Sequence, residues 1–120
     1  AQLSGLAISQ DGQTIVSSSG DRTVRVWNKN GTLLHTLQGH QAAVSGVAIS
    51  PNREFIASAS EDGTVRLWGK NGTLLQTLSA GTIINSQVAF TPDSQKIVAG
   101  SAKGMLNIWQ VNGQKLASVK

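Results

Sequence analysis

A chain of 120 residues and 12.5 kDa has the length of one domain. Hydrophobic residues make up 39%, no apolar run reaches the ~18 residues of a membrane span, and no charged stretch leads into an apolar one as in a secretory signal, so a cytoplasmic location is expected. Cysteine is absent, which removes disulfides and thiolate chemistry, and the net charge of +4 is spread along the chain without a basic run, so a nucleic-acid-binding face is not expected.

The chain repeats with a step of 41 residues. The step joins Trp27, Trp68 and Trp109, then Ser4, Ser45 and Ser86, and also the pairs Asn30-Gly31, Asn71-Gly72 and Asn112-Gly113. Residues 4–38 match 45–79 at 21 of 35 positions, and 45–79 match 86–120 at 11 of 35, so the third unit has diverged most. Such a period marks a repeat architecture. The whole chain, 1–120, is expected to be one body of three units, at about 1–40, 41–80 and 81–120.

Each unit reads as four short strands. In the second unit the first strand is expected at Ser45 to Ser50, followed by a turn at Pro51-Asn52-Arg53. The second runs from Phe55 to Ser60, and Asp62-Gly63 turns the chain. The third, Thr64 to Trp68, is rich in β-branched residues. Asn71-Gly72 is expected to form a two-residue hairpin turn with positive φ, leading into a fourth strand from Thr73 to Leu78. In the third strand Val65 and Leu67 share one face, and Thr64, Arg66 and Trp68 the other. Strands apolar on both faces, as in Val47-Ala48-Ile49, must be covered on both sides. The fold class is therefore all-β, built of four-stranded antiparallel sheets stacked face to face.

Gly39-His40, then Ser60-x-Asp62-x-Thr64 and Val65-Arg66-Leu67-Trp68, resemble the WD repeat of β-propellers, whose blades have four strands and ~40–45 residues. The Trp-Asp dipeptide itself is replaced by Trp27-Asn28, Trp68-Gly69 and Trp109-Gln110. The Lys-Asn-Gly-Thr-Leu-Leu-x-Thr-Leu phrase, present twice, is similar to bacterial members with near-identical repeats. The resemblance implies a propeller fragment of three blades, each tied together by a buried network of Asp, His, Ser and Trp. In the second unit that set is His40, Asp62, Trp68 and Ser58 or Ser60. The first unit keeps Asp21, Trp27 and Ser17 or Ser19. The third has Gly81 and Lys103 at the His and Asp positions, with Trp109 and Ser101 remaining, so no network is expected there.

The same residues could be read as a nucleophilic triad of Ser60, His40 and Asp62. A triad serine must be exposed beside an oxyanion hole, whereas these hydroxyls should lie inside a blade, so no enzyme is expected. Neither His40 nor His35 has a partner at metal spacing, no phosphate-binding glycine motif occurs, and no metal or cofactor is expected. The resemblance implies an interaction scaffold for a protein or peptide, with Ser4, Ser45 and Glu61 as candidate contacts on the narrow face. Two alternatives are a lectin-like propeller binding a glycan or small ligand between blades, and a structural fragment with no function of its own.

Three blades do not close a ring of ordinary propeller size. The exposed faces are expected to carry Leu6, Ile8, Val24 and Val26 on the first blade, and Val88, Phe90, Leu106 and Ile108 on the third. Head-to-tail self-association, giving six blades in a dimer or nine in a trimer, would cover them. Lys120 of one copy would then meet Ala1 of the next.

Overall fold

The computed structural model describes residues 3–84 and 87–119. Each unit forms one four-stranded antiparallel sheet, a blade. The first blade holds β1 (Leu3–Ile8), β2 (Thr14–Ser19), β3 (Val24–Asn28) and β4 (Leu33–Leu37). The second holds β5 (Val44–Ile49), β6 (Phe55–Ser60), β7 (Thr64–Gly69) and β8 (Leu74–Ser79). The third holds β9 (Val88–Phe90), β10 (Lys96–Ser101), β11 (Met105–Gln110) and β12 (Lys115–Val119). Within each blade the strands lie side by side in chain order, and the first strands β1, β5 and β9 pack as neighbours. Among the described residues the one helical feature is a 3-10 turn at Ala102–Gly104. In the second unit the first and fourth strands are each displaced by one residue from the expected limits, and the third extends to Gly69.

The Asn-Gly hairpins differ from the expected two-residue turn. Gly72 has φ 89°, but Asn71 is not in the left-handed region. Gly72 N donates to Gly69 O at 2.9 Å, Gly69 N donates to Thr73 O at 2.7 Å, and the register slips between Leu67 and Trp68. The turn is thus four residues closed by a left-handed glycine, a bulged hairpin. Only the glycine takes positive φ, so no side chain bears that steric cost. The first and third blades do the same at Gly31 (φ 85°) and Gly113 (φ 99°).

Two apolar cores lie between the blades. Val16, Val24, Val26 and Leu37 of the first blade meet Val44, Val47, Ile56 and Trp68 of the second. Ala57, Ala59, Val65, Leu67 and Leu78 of the second meet Ile84, Val88, Ile97, Ala99 and Trp109 of the third. Each large side chain buried this way contributes roughly 1.5–3 kcal/mol. The tryptophan face of the second and third blades therefore packs on the valine/leucine face of the blade before it. The inner strands approach too closely for a side chain at Gly46: a Cβ there would sit 2.8 Å from the Cα of Gln87, whose Oε1 accepts from Val47 N at 3.1 Å.

This stacking corrects the expected bare faces. Val24 and Val26 are buried against the second blade, Val88 is buried in the second core, and Phe90 packs against it. Leu6 and Ile8 are uncovered, 59% and 66% exposed, and share their face with Ile15 and Trp27 across β1, β2 and β3. On the third blade Leu106 is exposed and Ile108 half-buried, on one face with Val98 and Ala89. Strand alternation sorts residues into two faces, but the hand of blade stacking decides which face meets a neighbour. The Lys120-to-Ala1 junction and Ser86 lie outside the described residues.

Candidate functional site

The β6–β7 turn and the loop before β5 converge on one buried chain of hydrogen bonds. Trp68, on β7, donates from Nε1 to Ser58 Oγ on β6 at 2.9 Å. Ser58 Oγ lies 2.7 Å from His40 Nε2, and His40 Nδ1 lies 3.0 Å from Asp62 Oδ2. Asp62 has no proton to give, so His40 Nδ1 is the donor there, and Nε2 accepts the Ser58 hydroxyl proton. Every member is satisfied with a neutral imidazole. Burial lowers the His40 pKa from its usual 6.5, although Asp62 pulls the other way. Burial pushes the Asp62 carboxyl up, but the Thr64 hydroxyl, the Gln41 amide and the His40 ring outweigh it and hold the pKa down to about 2.

The two serine candidates of this unit have different tasks. Ser58 joins histidine to indole. Ser60 accepts from Asp62 N at 3.0 Å and reaches Ala42 O and Ala43 O, fixing the loop that carries His40. Both hydroxyls are buried, and Ser60 does not touch His40, so the geometry is not that of an exposed nucleophile with its base.

The first blade holds half of this arrangement. Trp27 Nε1 donates to Ser17 Oγ at 3.0 Å, and Ser19 accepts from Asp21 N at 3.2 Å. Asp21 accepts from the Thr23 hydroxyl and from Arg25 at 3.1 Å. The Thr23 hydroxyl holds its pKa well below the usual range against desolvation, with Ser19, the Thr23 amide and Arg25 adding to the lowering. In the second blade the residue matching Arg25 is Arg66. Because His40 occupies the aspartate, Arg66 lies against Gly39 instead, and its buried Nε has no hydrogen-bond partner among the described residues.

The third blade has a different network, which motif matching does not reveal. Asn107, buried on β11, donates from Nδ2 to Ser101 Oγ at 3.0 Å and to Ala99 O at 3.3 Å, and accepts from Ser118 at 2.8 Å. Its position is that of Arg25 and Arg66, and an amide among charged counterparts was the available signal.

The proposed contacts lie at one end of the blades. Glu61 is exposed and borders a shallow groove with Asp62, Gly63, Gly81 and Ile83. The same groove recurs one blade earlier, lined by Asp21, Arg22, Gln38 and His40. Ser45 is half-buried, and its hydroxyl reaches Ala59 O and Ile84 O at 3.2 and 3.0 Å. The side chain of Ser4 lies outside the described part, as does that of Lys103. Among the described residues no cluster of His, Cys, Asp or Glu could hold a metal ion, and no helix is long and apolar enough to cross a membrane.

A family model described as "WD domain, G-beta repeat" matches residues 1–28, 31–69 and 72–110. An uncharacterized WD repeat-containing protein of Synechocystis sp. is 55% identical over 38 residues, 30% of this chain, and the match spans 11% of that protein's length. The 31–69 match runs from just before β4 of the first blade to the end of β7, so the sequence unit is phased one strand ahead of the structural blade. With three such matches and three four-stranded sheets in series, the chain belongs to the WD40-repeat family and its sheets are propeller blades.

Proposed function

We propose that the chain is a non-enzymatic interaction scaffold: three propeller blades that join further blades into a ring and present its narrow face to a protein or peptide. The observation that carries this is the match between its two end faces. Leu6, Ile8, Ile15 and Trp27 occupy on the first blade the face that, on the second, packs on the blade before it. Leu106 and Ile108 on the third occupy the face that Val65 and Leu67 use to receive the next blade. A second copy supplies the complementary half of an interface the chain already makes twice, a head-to-tail contact that closes as a six-blade dimer or a nine-blade trimer. The repeated grooves beside Asp21 and Glu61 then lie on one rim of the ring and serve as the docking surface.

Sedimentation equilibrium tests the assembly. The expected result is a dimer or trimer mass that falls to the monomer in Ile8→Glu or Leu106→Glu, with circular dichroism unchanged. A wild-type chain that stays monomeric at every concentration overturns self-association as the means of ring closure.

A further inference from the structure

The three Asn-Gly pairs are equal in sequence but not in their surroundings. Asn71 Oδ1 accepts from Thr73 N at 3.1 Å, and Asn112 Oδ1 accepts from Gln114 N at 3.0 Å. Each of these side chains is folded back and held. In the first blade that amide, Thr32 N, is already taken: Asn28 Oδ1 accepts from it at 3.0 Å and from Asn30 N at 2.9 Å. The residue matching Asn28 is Gly69 in the second blade, which has no side chain, and Gln110 in the third. Asn28 therefore displaces Asn30 from its acceptor role, and the exposed Asn30 carboxamide makes no hydrogen bond among the described residues.

A second difference holds for the chain by itself. Gly72 is packed under His35 of the preceding blade, where an added Cβ would lie 3.1 Å from Nδ1, and Gly113 under Gln76, at 2.7 Å from Oε1. Nothing lies within 4 Å of that point at Gly31. In the chain by itself the Asn30-Gly31 turn is thus the uncovered one; in the proposed ring the blade of a second copy would lie over it as well, so the difference that persists there is that of the carboxamide.

We propose that Asn30 is a site of spontaneous deamidation, converting to aspartate and isoaspartate ahead of Asn71 and Asn112. The Gly31 backbone nitrogen, losing its proton, attacks Asn30 Cγ to form a five-membered succinimide. The side-chain nitrogen leaves as ammonia, carrying that proton. Water then adds across one of the two imide C–N bonds, giving aspartate or the isoaspartyl linkage. The attacking nitrogen is equally engaged in all three turns: Gly31 N donates to Asn28 O at 3.0 Å, Gly72 N to Gly69 O and Gly113 N to Gln110 O at 2.9 Å. The difference in rate thus comes from the carboxamide, which must rotate toward that nitrogen. The product places a negative charge on the hairpin that joins β3, carrying Trp27, to β4.

The test is to incubate the full chain in mildly alkaline buffer at body temperature, digest it, and quantify aspartate and isoaspartate at each site by mass spectrometry. One hydrogen bond of ordinary net strength held or lost corresponds to about fivefold in rate, so Asn30 should convert about fivefold faster than Asn71 or Asn112, or more. Asn28→Gly should let Asn30 take up Thr32 N and slow it to the rate of Asn71. Gly69→Asn should do the reverse and release Asn71. Equal rates at the three wild-type sites, faster conversion at Asn71 or Asn112, or no conversion at Asn30 while an unfolded peptide of residues 27–34 converts, would each overturn the proposal, whether or not the variants fold.

Discussion

The indole of Trp68 and the hydroxyl of Ser58 are 2.9 Å apart, and the same bond recurs 41 residues earlier between Trp27 and Ser17 at 3.0 Å. The two serines differ in what else they hold. Ser58 also supplies a proton to His40, whereas in the first blade no histidine of the described residues reaches Ser17. The bond between sheet strands is thus common to the first two blades, and the histidine is a local addition that ties the loop before β5 to the blade.

Ser58→Ala should therefore be more damaging than Ser17→Ala. It leaves two buried partners unmatched, His40 Nε2 and Trp68 Nε1, at about 1–3 kcal/mol for each unsatisfied group. Ser17→Ala strands only the half-buried Trp27 indole. Urea titrations of both variants would measure the gap, and an equal loss of stability would show that the histidine bond contributes nothing.

The network also gives the stability a pH dependence with a definite sign. The folded-state pKa of His40 is lowered below 6.5, so the unfolded chain binds that proton more readily. Stability is complete above about 6.5 and declines as pH falls toward the folded value. A further loss follows as pH drops from the usual 3.8 of aspartate through the value of about 2 for Asp62. Melting temperatures across this range should show the first decline in the wild type and lack it in His40→Asn. A melting temperature that rises on acidification below 6.5 would contradict the assigned neutral imidazole.

Gly39 and Arg66 form a coupled pair. Gly39 has φ 147°, and a Cβ there would stand 2.7 Å from Arg66 Nη1. Gly39→Ala should cost about 1–3 kcal/mol from backbone strain, with the guanidinium clash added to it. Arg66→Met removes both the clash and a buried Nε that has no partner among the described residues. It should be near neutral alone and should recover part of the Gly39→Ala loss. Strict additivity in that double-mutant cycle would mean that the two residues do not meet.

Asn107 should carry for the third blade what His40 and Asp62 carry for the second. Asn107→Asp keeps the shape but turns the bond donated to Ala99 O into a repulsive contact and leaves the Ser101 hydroxyl to reverse and donate. The carboxylate is also nearly dry, so the substitution should destabilise by several kcal/mol at neutral pH and by less in acid, where the carboxyl can protonate. Chemical denaturation at the two pH values checks this, and a pH-independent effect would argue against a buried charge.

Much of the molecule is present in the order of residues alone. The 41-residue step, the β-branched strands and the turn residues between them dictate three antiparallel sheets, because local propensity and alternation act within a few residues. The pairing of His40 with Asp62 follows from the repeat motif, since each stands at a fixed place in its blade. Other features depended on contacts between units. Val24 and Val26 alternate just as Leu6 and Ile8 do, and only the hand of blade stacking covers the first pair and bares the second. Ser58 and Ser60 share one face of β6, and Ser58 joins the histidine because it stands within reach of both His40 and Trp68, whereas Ser60, at the strand end, is held by Ala42 O, Ala43 O and Asp62 N. Asn107 acquires its role only when β10 and β12 bring Ser101 and Ser118 to either side of it. Strand periodicity is a property of short stretches of chain. Which face meets which neighbour is a property of the packed whole, and it exists only once the blades are assembled.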